Sequence, residues 1–179
     1  MNEEYYLKAS VKDPKAFKYF YDLYFKSIFL FIFRRTDDEA LSEDITQQVF
    51  LIALQNIKKY EYRGIKFSSW LYRIALSELA KYYRDNKKIR VVSLESKDIA
   101  ELIEDDSIAF ERNTIVFKIL KQLPQKELEF IEMRYFEKRS FSEIAEIKNI
   151  SENNAKVKVH RILNSIRKLI PAKHFHDYE

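Results

Sequence analysis

The sequence predicts an all-helical chain of two small domains, joined by an acidic linker and ending in a helix-turn-helix. Three observations support this. The 179 residues include one glycine and three prolines, too few to build a protein of β-hairpins. Apolar residues recur at spacings of three and four in segment after segment, the signature of amphipathic helices. The charges fall in blocks. Between Val91 and Glu111 stand Glu95, Asp98, Glu101, Glu104, Asp105, Asp106 and Glu111, against the single cation Lys97. Lys81, Arg84, Lys87, Lys88 and Arg90 precede that island, and Lys156, Lys158, Arg161, Arg167 and Lys168 lie well beyond it. Domains at 1–90 and 110–179 with a linker at 91–109 follow.

Asp13-Pro14 is an N-cap followed by a first-turn proline, and opens a helix expected to run through Arg35. Phe17, Phe20, Tyr24, Phe31 and Ile32 form its buried face. Thr36-Asp37-Asp38 interrupts the pattern. A second helix then carries Leu41, Ile45, Val49, Ile52 and Ala53 and ends near Tyr60. The loop from Glu61 to Lys66 holds the only glycine, Gly64. Ser68 is expected to cap a third helix, through Trp70, Ile74, Leu79 and Tyr83 towards Lys88. Past the linker, one helix spans Phe110 to Leu123 and stops at Pro124, and another spans Gln125 to Phe136.

The segment from Ser140 to Ile170 is the most informative. Ser140-Phe141-Ser142-Glu143 has the form of a capping box, which starts a helix by satisfying its first free N–H groups. Ile144, Ala145 and Ile147 supply the apolar side of that short helix. Asn149 stands where a left-handed residue is needed, a conformation Asn accepts better than most. Ser151 offers a second N-cap, and Ala155, Val159, Ile162, Ile166 and Leu169 form a stripe at helical spacing. The other side carries Asn153, Asn154, Lys158 and Arg161. A short helix, a tight turn and an amphipathic helix with Asn, Lys and Arg outward make a helix-turn-helix suited to the DNA major groove.

Composition excludes several classes. With no cysteine there are no disulfides and no thiolate metal sites. The three histidines lie in or after the last helix and form no ligand set, so neither metal nor cofactor is expected. Acidic residues abound, but no His, Cys or Gly-rich phosphate loop accompanies them, and no catalytic residue is expected. The N-terminus has no signal-peptide pattern, and the apolar run Phe29 to Phe33 is too short to span a bilayer, so a cytoplasmic protein without membrane insertion is expected. The net charge of +4 permits nucleic-acid binding without compelling it.

Two blocks of residues resemble a known family. The first is Ser42-Glu43-Asp44-Ile45-Thr46-Gln47-Gln48-Val49-Phe50 with Phe67-Ser68-Ser69-Trp70-Leu71-Tyr72-Arg73-Ile74-Ala75. The second is Leu123-Pro124, Met133-Arg134-Tyr135, Ser142 to Ile147, and Ile150-Ser151 to Arg161. Together, in this order, they resemble bacterial RNA polymerase sigma factors of the extracytoplasmic-function branch. The resemblance implies a first domain that binds core polymerase and the −10 element, and a second that reads the −35 element. It departs at Asn149, where the family usually has Gly, and at Asn154-Ala155, near the family's Thr-Val. It also departs at Ser77 and Lys81, where Asn and Asp are frequent, and Lys81 is expected on a phosphate.

Asp44, Gln47, Gln48 and Leu51 share one side of the second helix. Spacing alone leaves that side an ordinary solvated face; the resemblance implies that it meets a coiled coil on the polymerase clamp. In the loop, Tyr60, Tyr62, Arg63 and Lys66 combine aromatic and cationic groups, and the resemblance makes it the pocket for a flipped −10 base. Stacking there is worth roughly 1–3 kcal/mol per base. The plain alternative is local packing of the tyrosines. Arg73, Ser77, Lys81 and Arg84 extend the DNA-binding side along the third helix, with Trp70 mainly structural. In the last helix Asn153 and Asn154 suit adenine, Lys158 and Arg161 suit guanine, and Ser151 and Lys156 suit phosphates. The resemblance also implies an anti-sigma factor as regulator. Two other readings stay open: a dimeric stand-alone helix-turn-helix regulator acting on duplex DNA, and a helical adaptor without a DNA role.

Overall fold

The computed structural model describes residues 3–62, 64–86 and 110–170, and every regular element among them is helical. The chain divides into two compact units, residues 1–93 and 94–179. Arg63, Lys87, Lys88, Arg90 and the acidic linker at 91–109 lie outside the described residues.

The first unit holds α1 (Glu3–Lys12), a 3-10 turn (Pro14–Phe17), α2 (Lys18–Thr36), α3 (Glu39–Asn56), a second 3-10 turn (Ile57–Lys59) and α4 (Phe67–Asn86). The Asp13 carboxylate accepts from the Lys15 N–H at 2.9 Å, but the turn it starts is 3-10 and the α-helix proper begins at Lys18. Asp37 is left-handed (φ 52°) and Asp38 caps α3, accepting from the Leu41 N–H at 3.0 Å. The segment expected to run to Tyr60 does so in two pieces, α3 and the 3-10 turn.

Two features correct the sequence expectation. Helix α1 precedes everything read from periodicity; its apolar residues form no clear stripe, and it buries only Leu7 and Ser10. Ser68 is not the cap of α4: it is buried within the first turn, and the Phe67 N–H donates instead to Glu3 Oε2 at 2.9 Å. The other Glu3 oxygen accepts from the Tyr24 hydroxyl. Burial, and then this carboxylate, push the Tyr24 phenol well above its ordinary pKa, so it stays a donor. One carboxylate thus ties α1, α2 and α4 together.

An aromatic core fills the unit. Phe67 meets Phe20 at 4.3 Å between ring centroids, Phe17 at 6.2 Å and Tyr60 at 5.1 Å. The expected positions Phe20, Phe31, Ile32, Ile45, Val49 and Ala53 are buried, while Tyr24, Ile52, Trp70 and Tyr83 are half-buried. Arg35 lies in the core with its guanidinium 3.5 Å from the Phe31 ring centre, and donates to the Phe31 carbonyl at 2.8 Å. Tyr83 donates to the Arg35 carbonyl and so holds the end of α4 to the end of α2.

The second unit holds α5 (Phe110–Gln122), α6 (Gln125–Ile131), α7 (Phe141–Lys148) and α8 (Glu152–Leu169). The stretch expected as one helix from Gln125 to Phe136 changes to π-helical turns over Glu132–Phe136. The Ser140 capping box is complete: its hydroxyl accepts from the Glu143 N–H at 3.2 Å, and the Glu143 carboxylate accepts from the Ser140 N–H at 2.9 Å. Asn149 is left-handed (φ 52°), and the Ser151 hydroxyl accepts from the Asn154 N–H at 3.2 Å. Helix α8 buries Ala155, Val159, Ile162, Leu163 and Ile166. Leu169 is 59% exposed, so the stripe expected to reach it ends earlier; Leu163 and Ile170 fill the core instead. No helix among the described residues is long and apolar enough to cross a membrane.

The left-handed Asn149 allows a direct check. Asn149→Gly should leave stability unchanged or slightly raised, whereas Asn149→Val should cost about 1–2 kcal/mol, because a β-branched side chain collides with the next carbonyl there. Urea unfolding midpoints of the two variants measure the difference. Equal midpoints would mean that the turn relaxes.

Candidate nucleic-acid interface

On α3, the inward Ile45, Val49 and Ala53 leave Asp44, Gln47, Gln48 and Leu51 on the outside, all exposed, Leu51 at 47%. An exposed leucine among amides and a carboxylate has the mixed character of a protein contact face. An open cleft of about 360 Å³ between α3 and α4 brings Asp44 and Gln48 together with Glu78, Lys81 and Asp85. Lys81, expected with the −10 residues, therefore adjoins two of the residues expected to meet polymerase.

The loop between α3 and α4 divides its aromatics. Tyr60 packs on Trp70 at 4.8 Å and on Phe67 at 5.1 Å, whereas Tyr62 is exposed at 41%. Trp70 is half-buried and packs on both Tyr60 and Phe67. Gly64 has φ +75° and open space where a Cβ would stand, so glycine is favoured there by backbone conformation and not by crowding. Lys66 is exposed. Along α4, Trp70, Arg73, Ser77 and Arg84 recur at intervals of three, four and seven and share the outward side. Ser77 and Arg84 are exposed and Arg73 is half-buried; Arg84 makes a solvent-facing pair with Asp85 at 3.1 Å.

The helix-turn-helix is held by a compact polar frame. Lys148 pairs with Glu129, so the end of α7 is fastened to α6. Arg139 pairs with Glu137 at 3.4 Å and Glu143 at 3.8 Å, and Arg134 sits over the Phe141 ring at 4.7 Å. These contacts fasten α7 to α6 and to the π-helical turns before it. On α8, Ser151, Asn153, Asn154, Lys156, Lys158 and Arg161 are all exposed. Ser151 spends its hydroxyl on the cap. Lys156 pairs with Glu152 at 3.1 Å and lies 5.9 Å from the Phe141 ring centre; Lys158 lies 5.9 Å from that of Phe130. The two lysines flank the outward face, and Asn153, Asn154 and Arg161 occupy it.

Sequence reasoning passes over Val157 and Asn164 on that face and reads His160 as a plain helix-surface residue. Val157 is 38% exposed, and His160 and Asn164 are hydrogen-bonded at 3.0 Å. The intervals 153, 157, 160, 164 carry the signal, but an apolar residue in an amphipathic helix is read first as core.

Residues 20–89 match the Sigma-70 region 2 family, and residues 119–168 match the Sigma-70, region 4 family. The ECF RNA polymerase sigma factor SigW of Bacillus subtilis is 34% identical over 169 residues, covering 87% of this chain and 89% of SigW. The ECF RNA polymerase sigma factor BldN of Streptomyces coelicolor is 24% identical over 168 residues, 92% of this chain, and the chain spans 64% of BldN's length. A structure of CnrH in complex with the cytosolic domain of CnrY shares the fold, with a TM-score of 0.58 and 17% identity over 92% of this chain and 93% of that one. With both sigma regions in order on one chain, and SigW alike along most of its length, the chain belongs to the extracytoplasmic-function (ECF) RNA polymerase sigma factors, alternative sigma factors that direct promoter-specific transcription initiation.

Proposed function

We propose that the protein binds core RNA polymerase and directs it to promoters through contacts to the −10 and −35 elements. The first domain, 1–90, binds polymerase through Asp44, Gln47, Gln48 and Leu51. It engages −10 DNA through Tyr60, Tyr62, Arg63, Lys66, Arg73, Ser77, Lys81 and Arg84. Tyr62 is the free stacking platform of the loop, with Tyr60 as its support. The second domain, 110–179, reads −35 DNA through Asn153, Asn154, Lys158 and Arg161 and is oriented on phosphates by Ser151 and Lys156. The acidic segment 91–109 links the two and follows a basic channel of the polymerase. The protein works in the cytoplasm and is not an enzyme: it supplies specificity and polymerase the chemistry. Its regulator is an anti-sigma factor covering both domains.

The observation that carries this reading is the order of a region 2 match and a region 4 match on one chain; a stand-alone regulator needs only the second. Co-elution with bacterial core polymerase tests it. The Asp44→Ala/Gln48→Ala double variant should weaken the complex about thirtyfold, the loss expected when two interface side chains worth about 1 kcal/mol each are truncated. Absence of co-elution, with tight dimeric binding to a palindromic duplex instead, would replace the sigma reading by that of a regulator.

A further inference from the structure

Helix α8 turns Ala155, Val159, Ile162, Leu163 and Ile166 inward. As far as Asn164, its opposite face, at intervals of three and four, consists of Asn153, Val157, His160, Arg161 and Asn164. Four of these five are hydrogen-bonding residues, and the fifth, Val157, lies between them one turn beyond the first asparagine, 38% exposed. The two flanking lysines lean away from it. Lys156 is drawn to Glu152 and towards the Phe141 ring, and Lys158 towards the Phe130 ring, so they stand at the two edges of the face.

A single exposed valine ordinarily needs no explanation. This one occupies the centre of a surface otherwise made of groove-reading side chains. The floor of the major groove offers one apolar feature, the 5-methyl group of thymine. Valine suits it: β-branching leaves one strongly preferred rotamer in a helix, so its methyl groups are presented in a fixed direction without loss of side-chain freedom on binding.

We propose that Val157 is a specificity-determining residue that packs against a thymine methyl at the centre of the −35 contact. Asn153, Asn154, Lys158 and Arg161 take hydrogen bonds around it, and Lys156 holds a phosphate at the edge. The proposal rests on the −35 reading above and adds what that reading lacks: an apolar contact, and a preference for thymine over cytosine at one position.

Core polymerase carrying the full chain would be offered promoter fragments randomised over the −35 segment, and the selected fragments remade with uracil in place of single thymines. Uracil keeps every hydrogen-bonding group of thymine and lacks only the methyl. At one position the wild-type complex should bind the uracil fragment about fourfold more weakly, the ratio expected for burying one methyl group. The Val157→Ala complex should show no such difference and should relax the choice of thymine there. Alanine favours helix more than valine does, and circular dichroism checks that α8 is kept. A wild-type complex indifferent to uracil at every position, or an equal uracil penalty in Val157→Ala, would overturn the proposal while leaving the −35 reading intact. Failure of the wild-type complex to select any sequence would overturn both.

Discussion

Phe67→Ala should destabilise the first unit by about 3–5 kcal/mol, a large share of the 5–15 kcal/mol that keeps an ordinary domain folded. Phe67 is fully buried, and its ring touches Phe17, Phe20, Tyr60 and Trp70, so truncation opens a cavity bounded by rings that cannot easily collapse into it. It is also the first residue of α4, with its N–H held by Glu3 at 2.9 Å. The loss is therefore concentrated beneath the loop that carries Tyr62. Phe67→Leu keeps most of the volume and should cost less than about 1.5–2 kcal/mol. Urea unfolding gives both values. At temperatures where Phe67→Ala remains folded, permanganate reactivity of −10 thymines should fall more than polymerase co-elution does, because the exposed face of α3 does not depend on this ring. Unfolding midpoints of Phe67→Ala and Phe67→Leu that coincide would remove Phe67 from the centre of the core.

What the sequence disclosed and what it concealed divide along the range of the interactions. The Ser140 capping box, the cap at Ser151 and the left-handed Asn149 are settled by residues within four positions of one another, and all were legible. The start of α4 was not: its first N–H finds a carboxylate 64 residues away, and Ser68, the right residue type in the right place, is buried instead. The π-helical turns after Ile131 and the exposure of Leu169 are likewise not encoded in the periodicity. The candidate site shows the same division. Spacing puts Asp44, Gln47, Gln48 and Leu51 on one side of α3, yet the polymerase role proposed for them came only from family resemblance. That Lys81 shares a cleft with Asp44 and Gln48 depends on the packing of α3 against α4. Val157 was hidden for another reason: valine is so commonly core that its place on the polar face was passed over.

Alanine substitutions along α8 should separate two kinds of contact. Asn154→Ala and Arg161→Ala should each weaken binding to the cognate −35 element roughly 5- to 150-fold, equivalent to about 1–3 kcal/mol, and relax the base preference at one position apiece. The Asn154 change leaves the helix start untouched, because the bond to Ser151 comes from its backbone N–H, which alanine retains. Lys156→Ala should act differently. It should weaken binding to cognate and scrambled duplexes alike, and lower the slope of log K against log salt by about 0.9, one phosphate's worth of released counterions. Its ion-pair partner Glu152, 3.1 Å away, would then face the phosphates uncompensated, which adds to the loss without adding sequence preference. The two signatures, base preference and salt slope, are independent readouts of one titration. If Asn154→Ala changed only the slope, or Lys156→Ala changed only the preference, the outward face of α8 would have to be rotated relative to the groove, and the flanking lysines rather than the asparagines would be reading the bases.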